Sequence, residues 1–316
     1  MAFPRAGALA FAACLLTPLA AEAQSLCLFS ESGSVMRLME DCVTDRSVEI
    51  PDGFTLDGNG HEIVAVDPSG LAFRGAVVVA RGARASIINT RVTTAMLSGG
   101  CPKGDILRGI YFDGASGEIR GNRVVGVFRE PLTCDEGNAI DVRNRQMAGP
   151  PSTVLITQNT VLDYQKTGIV VHGNVDAVIH ENFIGASVVE GLIGVNGVQV
   201  GPVAGAQIER NTIMGVFTGH ASAGAAILLL ETRAGTLVEA NQILAAADVG
   251  IYILADAVTV ANNGIEDLGE DGVEDVAIVN LGVDNVLIGN RVRGFRHDYF
   301  GVERPRVPSA GQQVEE

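Results

Sequence analysis

A chain of 316 residues that is 47% hydrophobic and 19% charged can bury a sizeable core in one domain or two. Its 22 basic against 37 acidic residues leave a net charge of −15, which excludes nucleic acid as a partner, because phosphate binding rests on lysine and arginine. The same charge repels acidic polysaccharide except where a cation or a local basic patch intervenes.

The chain opens on "MAFPRAGALAFAACLLTPLAAEAQ". Arg5 precedes an apolar run from Ala6 to Leu16, and Ala21-Glu22-Ala23 has the small-x-small form of a cleavage site. Residues 1–23 are therefore expected to be a secretory signal, and the mature chain periplasmic or secreted. The apolar run is short for crossing a bilayer, and no later segment is long enough, so no membrane span is expected. Four cysteines follow the signal: Cys27, Cys42, Cys101 and Cys134. An even count in an exported chain predicts two disulfides, with three connectivities open at this point.

Residues 24–45 are expected to form an N-terminal cap, with a first, irregular strand as the alternative. "SGSVMRLMED" places Val35, Leu38 and Met39 at helical spacing between Cys27 and Cys42.

Residues 46–295 are expected to form one repeat region, in which two series of short runs recur between Gly109 and Val292. One places an apolar residue three before an asparagine and Val or Ile two after it in most runs. Its asparagines are Asn122, Asn159, Asn182, Asn211, Asn241, Asn263 and Asn290. The other begins with Gly or Ala followed by Ile or Val: "GIYFD", "AIDVR", "GIVVH", "GVQVG", "AILLL", "GIYIL" and "AIVNL". Apolar residues alternate within these runs as on a half-buried strand. No helix-period pattern lies between them to cover a doubly wound sheet. Short strands recurring at roughly 30 residues predict a solenoid of stacked coils. The asparagines are expected at one turn, taking the left-handed conformation and bonding to the next coil.

This chain resembles the right-handed parallel β-helix proteins of the pectate-lyase-like group, in its asparagine repeats and in "TLDGNGHEI", Thr55 to Ile63. The resemblance implies an all-β, single-domain fold with a polysaccharide or glycan as partner. It does not fix an activity, because one fold hosts many. The Asp-Pro-His-Asp motif of alginate epimerases is missing. "VHG" at Val171 to Gly173 is only a fragment of the polygalacturonase set. "ERPRVP", Glu303 to Pro308, does not meet the pectate lyase Arg-x-Pro-x-x-Arg. No catalytic residue carries over from any of them.

Alternation puts five titratable side chains on one outward surface, in three consecutive coils: Tyr111 and Asp113, Asp141 and Arg143, then His172. Later coils turn apolar or small there, with Gly201, Leu228, Leu230 and Leu254. A sugar-acid lyase or epimerase needs a base for the proton α to a carboxylate and a cation to neutralise that carboxylate. His172 and Arg143 suit those roles. Asp113 and Asp141 suit hydrolase carboxylates or a calcium site instead, and no other cofactor is indicated. An exposed ion-pair ladder without function would look the same. The alternative to a catalyst is a periplasmic or surface solenoid that binds a glycan or partner, expected as a monomer. Tyr111 and Tyr252 are the available sugar-stacking rings, since tryptophan is absent.

His180 also points outward, but from a later strand of the His172 coil, beyond the turn at Gly173-Asn174. The two imidazoles are not expected to share a metal. "EDLGEDGVED", Glu266 to Asp275, reads as a solvated acidic loop rather than a calcium site. Residues 296–316 are expected to close the C-terminal end and continue as a disordered tail. Cys101 and Cys134 fall on the turns entering the same strand of adjacent coils, which predicts a Cys101–Cys134 disulfide beside the polar surface and a Cys27–Cys42 pair at the cap.

Overall fold

The computed structural model describes residues 27–95, 97–101, 104–187, 194–217, 224–269 and 275–301. The expected signal and most of the expected tail lie outside them. Among the described residues there is no helix, only strands, in sheets of ten, eleven and ten. Each coil contributes one strand to each sheet in turn. Arg108–Asp113 lies in the first sheet, Ser116–Arg120 in the second and Arg123–Val127 in the third. Apart from one N-terminal hairpin, every strand pairs in parallel with the equivalent strand of the coils above and below. The expected parallel solenoid is thus the observed architecture.

Its interior is filled by the alternating Ile and Val of the repeats. Ile110, Ile140, Ile169, Val198, Ile227 and Ile251 are all fully buried and stack in register. In the second sheet Ile119, Ile156, Ile179 and Ile208 do the same. Burying a column of such side chains, at about 1.5–3 kcal/mol each, is what drives the coils to stack.

The asparagines form a buried ladder at the turn between the second and third sheets. Asn182 Nδ2 donates to Ile156 O and to Asn211 Oδ1, both at 2.9 Å, while its Oδ1 accepts from the backbone and side chain of Asn159. The ladder runs from Asn122 to Asn290 in this pattern. One expectation is corrected here. The left-handed backbone is not taken by the ladder asparagines but by the residue before each, including Gln158, Glu181, Arg210 and Ala240 with φ between 51° and 56°. Asparagine is required for its two-sided amide, which satisfies orphaned backbone groups inside the turn.

The N-terminal segment is also not helical. Phe29–Ser32 and Val35–Leu38 form an antiparallel hairpin about Gly33, and Val35–Leu38 then pairs with Thr55–Asp57 to begin the second sheet. Met36 and Leu38 are buried, and Met39 is exposed. Period-two burial prevails because a run this short cannot repay helix nucleation. At the other end His297–Gly301 adds one more parallel strand to the first sheet, so the repeat continues past residue 295. Both expected disulfides are present, Cys27–Cys42 and Cys101–Cys134, with Cα–Cα distances of 4.9 and 5.1 Å.

Candidate functional site

The outer face of the first sheet carries the polar residues, in the expected register. Tyr111 pairs with Asp141 and Asp113 with Arg143 in one step, and Arg143 pairs with His172 in the next. His172, Arg143 and Asp113 are half-buried and reach the surface.

Asp141 does not. It is outward-facing but 0% exposed, and it is not the open carboxylate expected from strand alternation. Its Oδ2 accepts Arg108 Nε at 2.7 Å and Asn138 Nδ2 at 3.2 Å, and its Oδ1 accepts Arg143 Nε at 2.7 Å. Tyr111, at 5% exposure, is likewise covered, with the Arg108 guanidinium 4.2 Å from its ring centroid. Alternation along one strand shows which way a side chain points, but not what folds over it. Arg108 was therefore missed as a functional residue. The signal was present in the outward column before each Gly/Ala–Ile pair, where Arg108 aligns with Asn138 in the coil above.

The electrostatics follow from this packing. One buried carboxylate is shared by two guanidiniums, and Asp113 stands in register beside Arg143, so these four groups carry two charges of each sign, with Arg143 the more exposed positive charge. Burial works against that charge, but the Asp141 carboxylate outweighs it and holds Arg143 above its ordinary range. Burial, then the Arg143 charge, push His172 below its ordinary value of 6.5, leaving a neutral imidazole at pH 7. Burial and the neighbouring Asp113 raise the Tyr111 hydroxyl to about 12, so it stays protonated and hydrogen-bonds Asp113. The His172 ring lies over Gly201 of the next coil, where a Cβ would meet its Cδ2 at 2.5 Å. That glycine is what gives the imidazole its place.

The turns carrying Cys101 and Cys134 are joined by their disulfide, and the Asp135 charge next to Cys134 acts on Arg143. Beneath the disulfide lies a buried pair that the sequence did not reveal, Arg129 and Glu136, at 3.2 Å. Arg129 donates to the carbonyls of Phe73 and Ser98, and Glu136 accepts the Leu107 amide at 2.7 Å. Burial raises the Glu136 carboxyl. Charges in a long turn read as solvated from sequence, and only the folded turns enclose these two.

A calcium ion does not fit Asp113 and Asp141. Calcium takes six to eight oxygens, whereas Asp141 is saturated by nitrogen donors. Among the described residues no group of three or more potential ligands gathers. Part of the acidic loop, residues 270–274, lies outside the described residues. His180 stands on the second sheet, away from the His172 sheet, and receives Arg210 Nε at 2.9 Å. Tyr252 is on the first sheet but packs with Ala225, Val249 and Val279 in an apolar patch.

The family model described as "right handed beta helix region" matches residues 138–296, half of the chain. The chain belongs to the right-handed β-helix family. No curated protein matches it in sequence. Among solved structures, a double mutant of the periplasmic alginate epimerase AlgG is similar at 15% identity and a TM-score of 0.36, covering 88% of this chain and 79% of that one. A bacteriophage CBA120 tailspike protein is similar at 10% identity and a TM-score of 0.37, covering 90% of this chain and 57% of that one. Neither likeness bears on what this β-helix protein acts upon.

Proposed function

We propose that this protein is an exported β-helix enzyme that abstracts the proton α to the carboxylate of a polyuronate, as a lyase or epimerase. The supporting observation is an accessible His172, with its pKa held below the ordinary value, next in register to Arg143, whose guanidinium is oriented by buried Asp141.

Arg143 faces the uronate carboxylate, and His172 takes the C5 proton. The C5–H electron pair moves into the carboxylate, whose developing charge Arg143 stabilises. In the lyase outcome the pair returns to form C4=C5, the C4–O bond breaks, and the imidazolium gives its proton to the departing oxygen. In the epimerase outcome a water molecule gives a proton to C5 from the opposite face, and the imidazolium releases its proton to the resulting hydroxide. Asp141, Arg108 and Tyr111 are positioning residues in this scheme, since burial keeps them from substrate. Export is supported by the N-terminal segment and by two disulfides, which persist in oxidising compartments.

The test is to incubate the full mature chain with alginate, pectate and glucuronan. Absorbance of the unsaturated product reports the lyase, and deuterium uptake at C5 in heavy water reports the epimerase. His172→Ala is expected to abolish either signal, and Arg143→Ala to lower it at least a hundredfold. Polyuronate binding with neither signal would replace the enzyme with a glycan-binding solenoid.

A further inference from the structure

A second concavity lies on a different sheet from His172. It is a groove of about 800 Å³ that crosses six consecutive coils of the second sheet, from Arg84 to Arg233. None of the polar residues described above lines it.

Sequence explains why the sheet is hollow there. The inward column beneath the groove is small or short in successive coils: Ala85, Gly117, Val154, Ala177 and Ala206. The adjacent inward column is isoleucine: Ile87, Ile119, Ile156, Ile179 and Ile208. Small side chains let one half of each strand sit closer to the axis, while isoleucine holds the other half out. At Gly117 an added Cβ would lie 1.8 Å from Ala85 O, so the backbones there approach as only glycine permits.

The outward columns that line the groove alternate in character. Thr153, Asp176 and Gln207 offer hydrogen-bonding groups, and Leu155 and Val178 form an apolar strip between Glu118 and Gln207. The charged residues of the lining are two arginines, one glutamate and one aspartate, which cancel. Three of them are engaged: Arg233 pairs with Asp176 across Gly205, and Glu118 pairs with Arg120, outside the lining, at 2.8 Å. On a chain of net charge −15 this is an electrically neutral strip.

We propose that this groove binds an extended, uncharged oligosaccharide lying along the solenoid axis. Coils repeat at about 4.8 Å, so six coils span roughly 24 Å. That repeat is close to the length of one pyranose unit in an extended chain, so successive sugars meet successive coils. Hydroxyls face Thr153, Asp176 and Gln207, and the C–H face of the rings lies on Leu155 and Val178. Neutrality separates this ligand from the polyuronate proposed for the first sheet, because no net positive charge is available to hold a row of carboxylates.

The experiment is isothermal titration calorimetry of the full mature chain with cellohexaose, mannohexaose and xylohexaose, with hexagalacturonate as comparator. Binding of at least one neutral hexamer is expected, tightening at least tenfold from the dimer to the hexamer. Thr153→Trp, which fills the middle of the groove, is expected to weaken it at least tenfold. Gln207→Ala provides a milder variant if Thr153→Trp fails to fold by circular dichroism, and a threefold or greater loss is expected. His172→Ala is expected to leave neutral binding unchanged, which keeps this test independent of the polyuronate reading. The proposal is overturned if no neutral hexamer binds at millimolar concentration, if the groove variants bind as wild type does, or if His172→Ala removes the binding.

Discussion

Asp141 and Arg143, two residues apart on one strand, are joined by a 2.7 Å hydrogen bond from Arg143 Nε to a carboxylate with no solvent exposure. The same carboxylate holds Arg108 on its other oxygen. A buried acid shared by two bases organises the surface above it.

Asp141→Asn leaves Arg108 and Arg143 without their counter-charge in a covered site. Breaking a buried ion pair by removing one partner costs about 3–5 kcal/mol. Urea unfolding is expected to show a loss of that size. A loss under about 1 kcal/mol, the scale of an exposed pair, would mean that the carboxylate is not enclosed.

The depressed His172 pKa gives a pH dependence of definite sign. Between the folded pKa and the unfolded value of 6.5, the unfolded chain binds more protons than the folded one at this position. The stability contribution is therefore fully present above 6.5 and declines as pH falls through that window. Imidazole titration by nuclear magnetic resonance is expected to show one resonance with a low midpoint, absent in His172→Asn. A midpoint at or above 6.5 would contradict both the burial and the proximity of Arg143.

The asparagine ladder is expected to be more sensitive in its middle than at its end. Asn182→Ala orphans the Ile156 carbonyl and the Asn159 amide, each costing about 1–3 kcal/mol when buried and unpaired. Asn290, half-buried at the last rung, bonds Val260 O and receives Asn263. Thermal melts should show a larger drop for Asn182→Ala than for Asn290→Ala. Equal drops would indicate that the ladder does not rely on burial.

Reduction of Cys101–Cys134 removes the covalent link between the two long turns that carry these cysteines. Hydrogen exchange is expected to quicken in residues 97–101, 104–107 and 128–137, while coils beyond Asn159 keep their protection, because stacked coils contact only their neighbours. Opening of the whole solenoid would instead make this bridge a global stability element.

The fold was legible because it is periodic. A β-helix repeats one local pattern, and alternation of Ile and Val together with a recurring asparagine specifies sheet, register and coil length without reference to distant contacts. The Tyr111, Asp113, Arg143 and His172 columns and the Cys101–Cys134 pairing followed from the same register. Sequence spacing likewise separated His172 from His180. What broke the period depended on tertiary structure. The segment Val35–Leu38 became a strand because the second sheet offered it a partner in Thr55–Asp57. Asp141 passed from surface to interior because Arg108 and Arg143 close over it, and Arg129 with Glu136 became a buried clasp because two long turns meet. The groove of the second sheet arises from a column of small inward residues summed over coils. Strand periodicity fixes the direction of a side chain, but its solvation is decided by groups that arrive from elsewhere in the chain, and solvation sets which charges remain free to act.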